Sequence, residues 1–174
     1  MTEKIIIAGS GGQGVMLLGK VLAEAAMREN KYVTWLPSYG AEVRGGTAYC
    51  MVVVSDKDIG SPYVDKADAL IVMNNPSLVR FRARLKNKGL LIINTSLADS
   101  SVRQALKHPF SGLAVKIGNV KVANMIILGF YLAQRKTVSL TTVLKVIEEI
   151  APADKKELVA INQRALNEGY KLNG

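Results

Sequence analysis

The sequence predicts an α/β fold in which a mostly parallel sheet is flanked by helices and the last third of the chain is helical. Three observations predict it. Over the first two thirds of the 174 residues, short aliphatic runs alternate with segments of helical periodicity. A glycine-rich turn joins the first of these runs to the first helix. From Gly118 onward the apolar segments are long and have helical spacing.

The first third of the chain predicts three strands and one helix. A β-branched run predicts a strand at Lys4–Ala8, and helical periodicity follows over Gln13–Glu29. A second strand at Tyr32–Leu36 stops at Pro37, and a third, apolar throughout, spans Thr47–Val54. The residues that we expect to share the buried face of the helix are Val15, Leu18, Leu22, Ala25 and Ala26.

The middle third carries the densest cluster of basic residues. After Asn74-Asn75, Pro76 suits the first turn of a helix, which we expect to continue to Gly89. On that helix Leu78, Phe81 and Leu85 would form an apolar stripe, and Arg80, Arg84 and Lys88 a basic row on another face. Further strands are predicted at Ala69–Met73, Leu90–Ile93 and Leu113–Ile117, and a short helix at Ser100–Lys107.

The C-terminal third predicts three helices. The segment NMIILGFYLAQ is long and apolar, and a second helix starts at Ser139 as its N-cap and is broken by Pro152. A third helix spans Lys155–Tyr170, with Leu158, Ile161, Ala165 and Leu166 inward. This order of elements is typical of a Rossmann-like sheet, and the length and ordinary composition indicate one domain over residues 1–174.

The net charge of +9 raises the question of an anionic partner. The densest basic cluster, Arg80–Lys88, has no RNA-binding or zinc-finger motif beside it, so nucleic acid is disfavoured. A solvated helix face, an acidic protein partner or a phosphorylated ligand all remain open. No apolar run is long enough to cross a membrane, and only three residues precede the first strand, so we expect a cytoplasmic protein without a signal peptide.

A single cysteine and a single histidine limit the chemistry of the chain. Cys50 lies in an apolar run and is expected in the core, and His108 before Pro109 is expected at the surface or at a helix end. An iron–sulfur cluster normally needs four thiolates and a structural zinc site several Cys and His ligands. Any metal or cluster chemistry must therefore lie on another chain, and no nucleophilic triad can be assembled around His108.

The stretch IIIAGSGGQGV, Ile5 to Val15, has the G-x-G-x-x-G spacing of a dinucleotide-binding turn. Glycines there allow a tight turn, let a ligand approach the backbone and permit close helix packing. The helix N-terminus offers free amides to an anion, and Gln13 is the polar side chain expected to face it. The candidate binding residues of this loop are Gly9, Gly11, Gly12, Gln13 and Gly14.

The second half of a dinucleotide site is missing. Such a site needs an acidic residue at the end of the second strand to bind the ribose, but Trp35-Leu36-Pro37 stands there and the next carboxylate is Glu42. Val15-Met16 after Gly14 excludes a phosphate-binding P-loop. NAD(P) and FAD are thus disfavoured, which leaves a structural turn, a site for another ligand, or a subunit contact.

A second loop, PSYGAEVRGG, follows the second strand at the sheet edge that the glycine loop occupies. Ligands of open α/β sheets bind at that edge. An arginine there suits a phosphate or carboxylate, and paired glycines allow close approach of the backbone, although an internal Glu–Arg contact is the simpler interpretation. The candidate binding residues of this loop are Ser38, Glu42, Arg44, Gly45 and Gly46.

The two loops together resemble the gamma subunit, or gamma domain, of 2-oxoacid:ferredoxin oxidoreductases. The motifs G-x-G-G-Q-G-V and P-S-Y-G-x-E-x-R-G-G occur in that order and spacing, and the similarity continues through KGLLIINTS to NMIILG. The compact size is most similar to the separate gamma subunit of the 2-oxoglutarate type. One departure is Asn30-Lys31 at the end of the first helix, where glycine is usual in such domains.

The resemblance implies a division of labour among chains. These enzymes convert a 2-oxoacid and coenzyme A to acyl-CoA and CO₂ and reduce ferredoxin. Thiamine diphosphate, Mg²⁺ and the iron–sulfur clusters are implied on alpha, beta and ferredoxin-like delta subunits, with none bound by this chain alone. The gamma subunit is implicated in binding coenzyme A, so the resemblance implies that both loops bind the anionic ADP part of coenzyme A. The competing hypotheses are a stand-alone nucleotide-binding oxidoreductase and a scaffold module that binds no small molecule.

Overall fold

The computed structural model describes residues 1–38, 47–152 and 156–172, which form one sheet covered by helices on both faces. The strands of the described part are β1 (Thr2–Ser10), β2 (Tyr32–Ser38), β3 (Thr47–Ser55), β4 (Ala67–Val72), β5 (Leu85–Asn94) and β6 (Leu106–His108). The helices are α1 (Val15–Arg28), α2 (Asn75–Phe81), α3 (Phe110–Ile117), α4 (Ala123–Gln134), α5 (Leu140–Ile150) and α6 (Lys156–Lys171). Within these ranges no helix is both long and apolar enough to cross a membrane.

The sheet has the strand order β2-β3-β1-β4-β5-β6. β1, β4, β5 and β6 are parallel to one another, and β3 is antiparallel to both of its neighbours, β1 and β2. Of the described strands only β3 therefore runs against the rest, and the predicted mostly parallel α/β sheet is confirmed. The connection over residues 39–46 explains the reversal, because a parallel crossover needs about a dozen residues or more.

Alternate residues of the buried strands supply two apolar layers. Ile5 and Ile7 of β1 face a core shared with α1 and with all four helices of the C-terminal part, α3 to α6. Ile6 and Ala8 point to the other face, where α2 and the flanking loops cover a smaller core. All five α1 residues predicted to face the sheet are buried, so the periodicity of that helix is confirmed.

Helix α1 ends without a glycine. Glu29 is its C-cap, and Asn30 adopts a left-handed conformation with φ of +55°, while the amide of Lys31 donates to the carbonyl of Ala26. Asparagine tolerates this conformation better than other non-glycine residues. Asn30 thus takes the position that glycine usually fills, and the helix end keeps its ordinary geometry.

The basic segment was wrongly predicted to be one helix. Helix α2 ends at Phe81, a 3₁₀ turn covers Arg82–Arg84, and β5 begins at Leu85. Gly89 does not end a helix but lies inside β5, at an irregularity where Leu85 pairs with Ala67 and Leu90 with Ala69. Arg80, Arg84 and Lys88 do not form a helical row, because the residues after the 3₁₀ turn belong to strand β5.

Two predictions between residues 100 and 117 were also wrong. Ser100–Lys107 is not a helix, since it holds turns and the start of β6, and Leu113–Ile117 lies in helix α3 rather than in a strand. Gly118 terminates α3 in a left-handed conformation with φ of +107°. A five-residue aliphatic run fits both a strand and a helix face, so periodicity alone did not distinguish them.

The three C-terminal helices are confirmed. The Ser139 side chain caps α5 by accepting a hydrogen bond from the Thr142 amide at 3.1 Å. Ala165 and Leu166 of α6 are fully buried as predicted, but Leu158 is 40% exposed and was wrongly expected inside. α4 and α6 cross at Gly129 and Gly169, where the two backbones approach closely.

Candidate functional site

The glycine loop connects β1 to α1 at the carboxyl edge of the parallel strands. Gly12 and Gly14 both have positive φ, +85° and +74°, in the left-handed region that favours glycine. Gly14 is the N-cap of α1 and carries no capping side chain. Gly11 and Gly12 are exposed at the tip of the loop. The sequence pattern therefore located this turn correctly, and two of its glycines are required by the backbone itself.

Gly9 and Gly14 also permit close packing, but in different directions. A Cβ on Gly9 would lie 2.6 Å from Gln13 Oε1 and 3.0 Å from Met73 Cβ, so the loop presses against the end of β4. A Cβ on Gly14 would lie 2.3 Å from Asn124 Nδ2. The close contact at Gly14 is thus with helix α4, and not with the sheet as the motif suggested.

The Gln13 side chain braces the loop. Its Oε1 accepts a hydrogen bond from the Ser10 amide at 2.7 Å, and its Nε2 donates to the Met73 carbonyl at 3.2 Å. The same carbonyl accepts from Asn94 Nδ2 at 3.3 Å. The oxygen of the Gln13 amide therefore closes the loop onto the end of β1 at Ser10, and its nitrogen ties the loop to Met73, directly after β4. We predicted that Gln13 would face a ligand, and a contact of that kind stays a prediction.

Two buried asparagines complete the support of the loop, and the sequence reasoning missed both. Asn94, at the end of β5, is fully buried and donates to Ser111 Oγ at 2.9 Å. Asn124, at the start of α4, donates to the Gly14 carbonyl at 3.1 Å. The available signal was a polar residue placed where an apolar strand ends and where an apolar helix begins.

The first turn of α1 presents unused hydrogen-bond donors. Among the residues that the structure describes, the backbone amides of Val15, Met16 and Leu17 have no acceptor, and the Leu18 amide is the first to bond back, to Gly14. The positive end of the helix dipole lies at the same place. Amides of this kind at a helix N-terminus are the donors that oxyanions bind in proteins.

The second loop starts and ends at the same edge. Ser10 of β1 pairs with Thr47, and the half-buried Ser38 pairs with Tyr49, so residues 39–46 leave and return beside the glycine loop. The predicted juxtaposition of the two loop ends is thus confirmed. Glu42, Arg44, Gly45 and Gly46 lie outside the described residues, and their part in a site stays a prediction.

The topology argues further against a conventional dinucleotide site. In the conventional strand order, the acidic residue that binds ribose ends a strand adjacent to β1. Here the strand beside β1 on that side is the antiparallel β3, and β2 lies one position further out at the sheet edge. The missing acidic residue and the displaced strand are independent observations, and both argue against binding of NAD(P) or FAD in the conventional way.

The single cysteine and the single histidine of the chain lie outside the glycine loop. Cys50 is fully buried as predicted, and burial raises the pKa of its thiol to about 12. His108 was expected at the surface or at a helix end; it lies half-buried at the end of β6, directly before the N-cap of α3, with its ring centre 4.9 Å from that of Phe130. Within the described ranges, no group of three or more His, Cys, Asp or Glu side chains could hold a metal ion.

Residues 4–172 match the family described as pyruvate ferredoxin/flavodoxin oxidoreductase. The chain belongs to this family. The match covers both loops and all six helices, so the resemblance recognised from the two motifs is confirmed. It extends well beyond the glycine pattern, which taken alone is common to many nucleotide-binding folds.

Relatives in this family differ in length. The ketoisovalerate oxidoreductase subunit VorA of Methanothermobacter thermautotrophicus is 35% identical over 168 residues, which are 95% of this chain and 35% of VorA. The 2-oxoglutarate synthase subunit KorC of Methanothermobacter marburgensis is 31% identical, with 98% of this chain and 100% of KorC aligned. The chain thus corresponds to one part of VorA and to KorC from end to end.

Solved structures show the same fold. The gamma subunit of keto/oxoacid ferredoxin oxidoreductase from Geobacter sulfurreducens matches with a TM-score of 0.82 and 28% identity, covering 97% of this chain and 96% of that one. The 2-oxoglutarate:ferredoxin oxidoreductase from Magnetococcus marinus, with 2-oxoglutarate, coenzyme A and succinyl-CoA bound, matches with a TM-score of 0.86 and 22% identity. This chain aligns over 97% of its length with 30% of the Magnetococcus chain.

Proposed function

We propose that this chain is the gamma-type subunit of a 2-oxoacid:ferredoxin oxidoreductase. The observation that carries the proposal is the family match over residues 4–172, combined with end-to-end correspondence to KorC. The complex would convert a 2-oxoacid and coenzyme A to acyl-CoA and CO₂ and pass electrons to ferredoxin. Its partners would be alpha and beta chains and a ferredoxin-like delta chain, and the choice of 2-oxoacid would lie mainly with them.

The residues of this chain do not fit an iron–sulfur cluster. A cluster requires four thiolates, and the sequence contains one cysteine, which is buried and whose pKa is raised to about 12. In this proposal the clusters, thiamine diphosphate and Mg²⁺ belong to the partner subunits. The chain on its own would then be inactive, and its contribution to the reaction would be the binding of a substrate that arrives from solution.

We propose coenzyme A as that substrate, at the sheet edge that holds the glycine loop and the two ends, Ser38 and Thr47, of the second loop. Coenzyme A carries a diphosphate and a further phosphate, and the free amides of Val15, Met16 and Leu17 suit one of these groups. Gly11 and Gly12 are exposed beside them, so that a ligand can reach the backbone. Arg44, on the loop that leaves and returns at this edge, would supply a positive charge.

The subunit role is tested by co-expression of this chain with candidate alpha and beta chains. We expect a stable complex that binds thiamine diphosphate and reduces ferredoxin when a 2-oxoacid and coenzyme A are added. A chain that stays monomeric beside every thiamine-dependent candidate would contradict the role. Calorimetric titration of the isolated chain with NAD and FAD supplies the second check, because tight binding of either would favour a stand-alone oxidoreductase.

The coenzyme A site is tested in the assembled complex with Arg44→Ala. Loss of one charge-assisted phosphate contact costs about 1.5–3 kcal/mol, so the KM for coenzyme A should rise roughly tenfold or more, with thiamine binding unchanged. Arg164→Ala removes an exposed arginine from α6 and is the matched control. An unchanged KM in Arg44→Ala would refute the role of Arg44 in coenzyme A binding. The proposed subunit role is tested by assembly of the complex and would stand.

A further inference from the structure

The basic residues between Arg80 and Lys88 are divided into two groups by the backbone. Arg80 stacks on the aromatic residues of the α2 face, with its guanidinium carbon 5.2 Å from the ring centre of Tyr49. Arg84 lies 4.9 Å from the ring centre of Tyr63, and it donates to the carbonyls of Val64 and Asp65. Arg80 therefore packs α2 against β3, and Arg84 fastens the 3₁₀ turn to the loop at Tyr63–Asp65.

The remaining three cations, Arg82, Lys86 and Lys88, line one cavity of about 460 Å³. No carboxylate is among its lining residues in the described part of the chain; the others are Leu85, Asn87, Gly89, Leu91 and Gln104. Lys86 is partly neutralised, since its Nζ lies 2.6 Å from Asp68 Oδ1. Arg82 and Lys88 contact no carboxylate within the described ranges, and both are exposed.

A bulge of β5 places the lysines beside this cavity. Residues 86–89 stand opposite Asp68 alone, because the register with β4 jumps from Leu85–Ala67 to Leu90–Ala69. The chain folds back sharply there, since a Cβ on Gly89 would lie 2.5 Å from Leu85 Cδ1. Bulges of this kind re-aim side chains, and this one projects two lysines from the sheet.

A second irregularity of the backbone lies among the residues that line the cavity. Gln104 has a φ of +59°, one of two non-glycine residues with positive φ in the described residues. Few residues other than glycine adopt this conformation. Gln104 adds a neutral amide, which can donate hydrogen bonds, to the lining of a cavity that already holds three cations.

The cavity is separate from the candidate coenzyme A site. It adjoins the start of β5, near the start of β4, whereas Asn94, Met73 and the glycine loop lie at the opposite, carboxyl ends of these strands. Neither of the two proposals depends on the other, and a variant in one place leaves the second intact.

We propose that Arg82, Lys86, Lys88 and Gln104 form a docking surface for an acidic polypeptide segment of a partner protein. The argument is charge complementarity: exposed cations without a carboxylate of their own attract and orient a negatively charged surface. The cations stand on long side chains on a projecting bulge and a 3₁₀ turn, and the polar residues beside them, Asn87 and Gln104, are exposed. This arrangement suits a protein surface better than an enclosed small-molecule site.

The test uses the full chain and a fluorescein-labelled polyglutamate peptide, with fluorescence anisotropy at low ionic strength. The double variant Arg82→Gln/Lys88→Gln should weaken peptide binding roughly fivefold, as expected when two exposed ion pairs are lost. The control Lys20→Gln/Lys145→Gln removes the same net charge from exposed positions on α1 and α5 and should leave the affinity within roughly twofold. Matching far-UV spectra and melting temperatures show that both variants are folded.

Two outcomes would overturn the docking surface. Equal weakening in both double variants would mean that the overall charge of +9, and not this cavity, attracts the peptide. Calorimetric binding of inorganic pyrophosphate to the wild type, lost in Arg82→Gln/Lys88→Gln, would assign the cavity to a small anion instead. No pyrophosphate binding together with a selective loss of peptide binding supports the proposal.

Discussion

Gly14 is the residue of the glycine loop that the structure constrains most. Its φ of +74° disfavours other residues, and its missing side chain leaves room for Asn124. We predict that Gly14→Ala lowers the free energy of unfolding by on the order of 3 kcal/mol, measured by urea denaturation. Gly12→Ala is the matched control, because Gly12 has a φ of +85° but a Cβ there would have no neighbouring atom within 4 Å among the described residues, so the change should cost only about 1 kcal/mol. Equal losses would contradict the contact with Asn124.

Glu3 is a carboxylate on a buried strand, and it makes stability depend on pH. It is 8% exposed, and Arg135 Nε lies 3.6 Å from its Oε1. Burial raises the pKa of Glu3 above its ordinary value of 4.5, and Arg135 offsets only part of this effect. The folded state therefore holds this proton more tightly than the unfolded state, and the stabilisation is lost as pH rises through the raised pKa.

We accordingly predict that Glu3→Gln raises the free energy of unfolding at neutral pH. The difference from the wild type should vanish below pH 4.5, where Glu3 is protonated in both states. Urea denaturation at the two pH values measures it, and Glu148→Gln, at an exposed position on α5, is the control for loss of one negative charge. Destabilisation by Glu3→Gln at neutral pH would show that the ion pair with Arg135 outweighs the cost of burial.

At the scale of elements, the crossing of α4 and α6 depends on two glycines. A Cβ on Gly129 would lie 2.0 Å from the Leu166 carbonyl oxygen, and one on Gly169 would lie 1.9 Å from that of Ile126. Alanine ordinarily stabilises a helix relative to glycine by about 1 kcal/mol. Here we predict the opposite sign, a loss of about 3 kcal/mol for either alanine variant, because the opposing atoms are backbone and cannot move aside.

The control for that prediction is Gly112→Ala in helix α3. The nearest atoms to a Cβ there lie 3.8 Å away, so this variant should gain up to about 1 kcal/mol. Thermal or urea denaturation of the three variants gives the comparison. A gain in all three would mean that the helices separate easily and that the close crossing does not stabilise the fold.

Elements with strong periodicity or a clear cap were predicted correctly, and short ambiguous ones were not. The Ser139 cap and the buried face of α1 follow from local chemistry, which the sequence displays directly. By contrast, Leu85–Gly89 belongs to β5 because β4 lies beside it, and Leu113–Ile117 lies in a helix whose residues Phe110 and Ala114 pack into the core. In both cases a neighbour, rather than local preference, selected the structure.

At the scale of the whole molecule, the C-terminal helices share their core with the sheet. Val143, Ile147 and Leu166 belong to the same buried cluster as Ile7 and Val52. We predict that the chain, as a single domain over residues 1–174, unfolds in one step. Fluorescence of its single tryptophan, Trp35 on β2, and far-UV circular dichroism should then give the same midpoint. Separate midpoints would mean that the last third folds independently.

The sequence by itself determined the α/β class, the position of the glycine turn and the family, because these depend on local patterns and on two motifs that lie close together in the chain. The tertiary structure decided what surrounds the turn. Met73 lies 60 residues from Gln13, and Asn124 lies 110 residues from Gly14, so no local pattern reveals these contacts. It also placed antiparallel β3 between β1 and β2 and divided the basic segment between aromatic stacking and an open cavity. Strand pairing and burial act over such distances only once the chain is folded.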